Sequence, residues 1–64
     1  MRILVNKIRC NKCGEEIEST STHDFKWCRC KSVAIDGGLD YLRRIAKNKN
    51  DYTELSIIVS ESDN

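Results

Sequence analysis

The large apolar residues fall into three short clusters with polar stretches between them. They are Ile3, Leu4, Val5 and Ile8; then Val33, Ile35, Leu39, Leu42 and Ile45; then Leu55, Ile57, Ile58 and Val59. None is long enough to span a membrane. Arg2 to Arg9 is rich in β-branched residues and predicts a strand. Glu15 to Thr22 predicts a polar strand running outward to a solvated hairpin tip at Ser19, Thr20, Ser21 and Thr22. Phe25 and Trp27 alternate with Lys26, the pattern of a returning strand with one aromatic face. Val33-Ala34-Ile35 then enters Asp36-Gly37-Gly38, where Asp-Gly and Gly-Gly favour a tight turn because both tolerate positive φ. Leu39 to Ile45 is expected to return as a strand. A short helix around residues 39–47 competes, because Leu39, Leu42, Ile45 and Ala46 share a helical stripe and Asp40 stands four before Arg44. Lys47 to Asp51 predicts a polar loop and Tyr52 to Ser60 a last strand. One domain is expected over residues 1–60, with 61–64 a frayed polar tail.

These clusters make a thin core for 64 residues. A domain of this size buries only about 60% of its unfolded surface and needs a staple. The staple is visible as two close cysteine pairs, Cys10 with Cys13 and Cys28 with Cys30. The residues between the pairs suffice for a hairpin that folds back and gathers all four sulfurs. Four thiolates complete a tetrahedral shell for Zn²⁺ and leave no position for substrate. Cys10-Asn11-Lys12-Cys13-Gly14 has the form of a zinc knuckle, with Gly14 suited to the left-handed backbone such a turn needs. Cys28-Arg29-Cys30 is one residue shorter than the usual ribbon spacing. The expected fold is thus a small, metal-stabilised, mostly β zinc-ribbon-like domain, with hairpins around a four-cysteine site and a structural zinc ion of about 10–16 kcal/mol deciding whether it folds. The metal-free chain is expected to be largely disordered.

Two other cysteine chemistries fit less well. Paired disulfides belong to secreted scaffolds, whereas Met1-Arg2-Ile3-Leu4-Val5 is a short apolar run broken at once by Asn6 and Lys7 and lacks the core of a signal peptide. Reduced cysteines and a cytoplasmic location are expected instead. A redox dithiol at Cys10 and Cys13 would require a larger α/β fold than this length allows.

The runs His23-Asp-Phe-Lys-Trp-Cys-Arg-Cys30 and Ala34-Ile-Asp-Gly-Gly-Leu-Asp-Tyr-Leu-Arg-Arg44, with the Arg9-Cys-Asn-Lys-Cys-Gly14 knuckle, are similar to a family of small zinc-ribbon-like proteins. That family occurs in Bacillota and in their phages and prophages, and its domain has no assigned function. In such relatives a glycine commonly follows the second cysteine pair, where this chain has Lys31. The resemblance implies a phage-associated accessory protein that acts by binding, and it implies no catalytic residues.

Beyond the cysteines, several residues are candidates for contact with a partner. His23 is read first as an exposed loop residue, second as part of a recognition surface with Asp24, and last as a metal ligand, since four thiolates already fill the shell. Asp36 with its glycines forms a turn or touches a phosphate through its backbone. Asp40, Tyr41, Arg43 and Arg44 either clamp an anion, dock a protein or form a solvated face. Trp27 is read first as core and second as a stacking platform, since so small a core needs its bulk.

Charge separates the partner classes. Residues 1–31 carry seven Lys/Arg against four acids and residues 32–64 four against six, giving +3 and −2 and the net +1 of the chain. Zinc held by four thiolates adds about −2. Nucleic-acid binders usually carry a strongly basic face, which this chain lacks, although Lys26, Arg29 and Lys31 are expected to form a local patch near Trp27. The leading expectation is a non-enzymatic protein that captures a host or bacterial protein; the resemblance to the phage-associated family implies that it does so in antidefence or host takeover. Sequestration of a small signalling nucleotide through Arg43, Arg44 and an aromatic is a variant. A nucleic-acid-binding zinc ribbon acting in transcription or nucleic-acid processing is the alternative. No membrane association is expected, and the apolar run Ser56 to Ser60 favours a homodimer.

Overall fold

A buried asparagine divides the first predicted strand in two. The computed structural model describes residues 2–60, in which the chain forms β1 (Arg2–Val5), β2 (Lys7–Cys10), β3 (Glu16–Glu18), β4 (Lys26–Trp27), β5 (Val33–Asp36), β6 (Arg43–Ala46), a single 3₁₀ turn (Lys49–Asp51), β7 (Tyr52–Glu54) and β8 (Ile57–Val59). Every strand pair is antiparallel, in three small sheets ordered β1-β8, β3-β2-β7 and β4-β5-β6. The fold is the expected small, mostly β, zinc-ribbon-like one. The predicted tail at 61–64 lies outside the described residues.

Asn6 interrupts β1 and β2 because its side chain is needed elsewhere. It is fully buried, and its amide donates to the carbonyls of Asp36 at 3.0 Å and Gly38 at 2.8 Å. The last predicted strand breaks opposite this point. Leu55 N donates to Lys7 O, while Ser56 Oγ accepts from Lys7 N at 3.0 Å. Residues 2–10 and 52–59 therefore run side by side as two short ribbons joined at a corner.

The predicted hairpin between the cysteine pairs does not form. β3 turns back on β2, with Ile17 opposite Ile8, and β4 pairs with β5. Each cysteine pair sits at the turn of its own hairpin. The segment between them is not a solvated tip throughout, since Ser19 is fully buried. Its hydroxyl donates to Asp24 O at 2.7 Å and accepts from Gly38 N at 2.8 Å.

The return after Asp36 is a strand and not the helix that residues 39–47 also allowed. It starts late, at Arg43, which pairs with Asp36. Residues 37–42 form a wide loop because they pack against residues 19–22. Gly38, at φ +54°, lies so close to Ser21 that an added Cβ would stand 2.2 Å from its carbonyl carbon. Only glycine fits there.

The core is Ile8, Cys10, Ile17, Cys28, Val33 and Ile35, with Cys13, Ala46 and Tyr52 packed against it. Leu4, Leu39, Ile57 and Ile58 stay exposed. So does Trp27, at 42% exposure, with Phe25 beside it in an edge-to-face contact at 6.0 Å. The core reading of Trp27 is therefore corrected: it lies on a two-residue edge strand, on the side of the sheet away from the core. Among the described residues no helix is long and apolar enough to cross a membrane.

Candidate metal centre

Two turns of similar build carry the four sulfurs. In the first, Cys10 N donates to Glu15 O and Gly14 N to Cys10 O, both at 2.8 Å. In the second, Cys28 N donates to Val33 O at 3.0 Å and Lys31 N to Cys28 O at 2.9 Å. The residue after the second cysteine is left-handed in each: Gly14 at φ +80° and Lys31 at φ +61°. Lys31 thus takes the backbone conformation that a glycine would occupy without strain. The two turns are tied together where Arg29 N donates to Glu15 Oε1 at 2.5 Å.

The sulfurs of Cys10, Cys13, Cys28 and Cys30 all lie within 4.8 Å of one another. Cys10 and Cys30 are 3.6 Å apart and Cys28 and Cys30 3.5 Å. A tetrahedral ion with metal–sulfur bonds of about 2.3 Å needs sulfur–sulfur edges of about 3.8 Å. The four cysteines are positioned to bind a metal ion. Cys10 and Cys28 are buried, Cys13 is half-buried and Cys30 is exposed, so one flank of the cluster faces solvent.

The surroundings favour ionised sulfur at some positions and oppose it at others. Burial pushes the Cys10 thiol up to about 11, although the N–H groups of Cys13 and Lys12 each donate to it at 3.4 Å. The Glu15 backbone N–H holds Cys13 down at about 6. At Cys28 burial acts upward but is outweighed by hydrogen bonds, the Val33 backbone N–H first among them, so its thiol is lowered. Four sulfurs this close cannot all ionise without a cation among them. A divalent metal would remove that conflict.

The other candidates do not converge on one site. Asp24 caps its own loop, accepting from Thr20 N at 2.9 Å and pairing with Lys26 at 3.3 Å. The Thr20 N–H and the Lys26 charge hold its carboxyl below the usual value. Asp36 accepts from Gly37 N at 2.9 Å, and Asp40 accepts from the Thr22 hydroxyl. Arg44 is not available to clamp an anion. It donates to Glu54 Oε1 at 2.9 Å, Glu54 Oε2 at 2.5 Å, Asn6 Oδ1 at 2.8 Å and Ser56 Oγ at 2.8 Å. His23, Tyr41 and Arg43 are not buried, and Arg43 stands 4.0 Å from Asp36. His23 lies outside the sulfur cluster.

Of the basic patch expected near Trp27, Lys26 alternates to the other side of β4 and pairs with Asp24, whereas Lys31 stays near Trp27. Two features had little sequence signal. The bridging role of Asn6 reads only as a break in an apolar run, and the approach of Lys12 and Lys47 to Trp27 depends on pairing between distant strands.

No curated protein matches this chain, and no solved structure does. A family described as a domain of unknown function, DUF7695, matches over residues 2–46, more than half of the chain and including all four cysteines, and the chain belongs to it.

Proposed function

We propose that this chain is a non-enzymatic binding module whose fold is closed by one structural Zn²⁺ and whose partner is a protein. Cys10, Cys13, Cys28 and Cys30 would supply all four ligands. Zinc suits the site because it accepts a tetrahedral thiolate set and needs no redox partner. A filled four-sulfur shell leaves no coordination position for substrate, which supports a binding role over catalysis. The observation that carries the protein-binding reading is the β1–β8 ribbon. It presents Leu4, Ile57 and Ile58 to solvent on a molecule whose core has few large apolar residues to spare. The resemblance to phage-associated zinc-ribbon-like proteins extends the reading to an accessory factor acting in the cytoplasm, capturing a host protein in antidefence or host takeover. A second copy of the chain is the competing occupant of the same ribbon.

The test has two parts. Native mass spectrometry should find one zinc per chain and no thiol reactive before denaturation; another metal, or two disulfides, overturns the zinc assignment. One stoichiometric partner should co-purify from host lysate and be lost on Ile58→Asp with metal content unchanged. Sedimentation at micromolar concentration that shows a dimer, dissociated by the same substitution, assigns the ribbon to self-association instead.

Nucleic-acid binding is the second reading, and one observation favours it. The single tryptophan is exposed beside basic side chains and is not spent in the core.

A further inference from the structure

We propose that a cleft beside Trp27 binds a nucleotide unit, with the base against the indole and the phosphate held by Lys31 and Lys47. The inference rests on the nucleic-acid reading and gives it a site.

The cleft has a volume of about 360 Å³ and is lined by Trp27, Ile45, Lys12, Lys31, Lys47 and Asp51, together with Ser32 and Ala46. Its floor follows from strand register. Trp27 lies opposite Ala34, and Ala34 opposite Ile45, so the three share one face of the sheet. Ala34 is fully buried, which leaves Trp27 and Ile45 as the apolar surface facing outward. A flat aromatic surface next to positive charge is what an unstacked base and its phosphate require.

Charge in the cleft is unevenly matched. Lys12 stands 4.0 Å from Asp51, and Asp51 also accepts from Asn48 N at 3.3 Å. Its carboxylate is therefore turned to the 3₁₀ turn, with Lys12 as its counter-ion. Lys31 and Lys47 have no ion-pair partner among the described residues. Two ammonium groups then remain for an anion.

The backbone at Lys31 is a separate observation. This residue occupies a left-handed position, φ +61°, that glycine fills without strain and that a residue with a Cβ rarely adopts. The matching position of the first turn has Gly14. The chain thus carries a lysine, at the cost of backbone strain, among the residues that line the cleft with the exposed indole.

The site differs from the arginine clamp expected from sequence, because Arg44 is committed to Glu54, Asn6 and Ser56. Its ligand chemistry has two sources, a free nucleotide or one unit of a single-stranded nucleic acid.

Calorimetric titration of the metal-loaded protein tests this, using mononucleoside triphosphates, ten-residue single-stranded oligonucleotides and inorganic tripolyphosphate in parallel. Because Trp27 is the single tryptophan, its fluorescence reports occupancy directly. Saturable quenching by nucleotides, and not by tripolyphosphate, is expected. Binding by mononucleotides identifies a free-nucleotide site, and binding by oligonucleotides alone identifies a strand site. Lys31→Gly should keep fold and metal, weaken binding about fivefold or more and lower the salt slope by about one. Trp27→Leu should weaken it about tenfold or more. Oligonucleotide binding that both variants leave unchanged overturns the cleft while leaving the nucleic-acid reading intact. No binding by any nucleotide or strand, or equal binding by tripolyphosphate, overturns both.

Discussion

Arg44 donates from Nη1 to Oδ1 of Asn6 at 2.8 Å, joining two residues 38 positions apart, and with that bond all three small sheets are linked. Arg44 lies on β6, its other donors reach Glu54 on β7 and Ser56 before β8, and Asn6 connects β1 to β2. Asn6 in turn satisfies the carbonyls of Asp36 and Gly38. Replacing it with alanine leaves those acceptors and one guanidinium donor without partners. The expected loss is about 3 kcal/mol, read as a melting point lowered by more than about 10 °C in the metal-loaded protein. Metal stoichiometry should not change.

The ion pair of Arg44 with Glu54 gives a pH dependence. Burial acts to raise the Glu54 carboxyl, but the hydrogen bonds and charge of Arg44 outweigh it and hold the carboxyl below its ordinary 4.5. A carboxyl lowered in the folded state stabilises fully above the unfolded value, and that contribution disappears as pH falls through the folded value. The melting-point difference between wild type and Glu54→Gln should therefore be constant from pH 7 to about 5 and vanish below the folded value. Excess Cd²⁺, a soft ion for thiolates, keeps the sulfur site filled during the measurement. Glu54 is half exposed, so the difference should be no more than a few degrees.

Removing the metal should unfold the chain. A strong chelator at neutral pH is expected to abolish the β-sheet circular dichroism, and one equivalent of Zn²⁺ should restore it. Cys10→Ser should behave as the metal-free protein does. Retention of native dichroism by the metal-free chain would show that the six-residue core suffices alone.

Two glycines separate strain from collision. At Gly14 an added Cβ meets nothing within 4 Å, so Gly14→Ala should cost only the left-handed backbone penalty of about 1 kcal/mol. At Gly38 the Cβ would overlap the backbone of Ser21, and Gly38→Ala should cost about 3 kcal/mol or more and release the 37–42 loop. Conversely, Lys31→Gly should raise stability by about 1 kcal/mol. Denaturant titration of the three zinc-loaded variants provides the comparison.

The four cysteines and their gathering into one site were legible because thiol spacing is a local signal. Strand positions were also largely legible, since alternation and β-branched runs are local. Pairing was not. Whether Glu16–Glu18 meets Lys26–Trp27 or Lys7–Cys10 depends on which apolar faces bury together, and Ile17 against Ile8 decides it. Bulk alone places Trp27 in the core and does not tell which side of a two-residue strand faces inward. Arg44 looked like one of a free pair with Arg43, and only the approach of Glu54 and Asn6 from distant strands shows it committed.

The residues that match the family end at 46, yet β1 pairs with β8 alone and β2 takes β7 along one side. The segment after residue 46 therefore supplies the strands that cover one edge each of β1 and β2. It occupies backbone groups of β1 and β2 that would otherwise be open to any extended peptide, this chain's own copies included. The sulfur cluster and the strands that cover one edge each of β1 and β2 thus lie on different stretches of the sequence, and a substitution that loosens residues 52–59 should uncover those two edges while leaving the sulfur site whole.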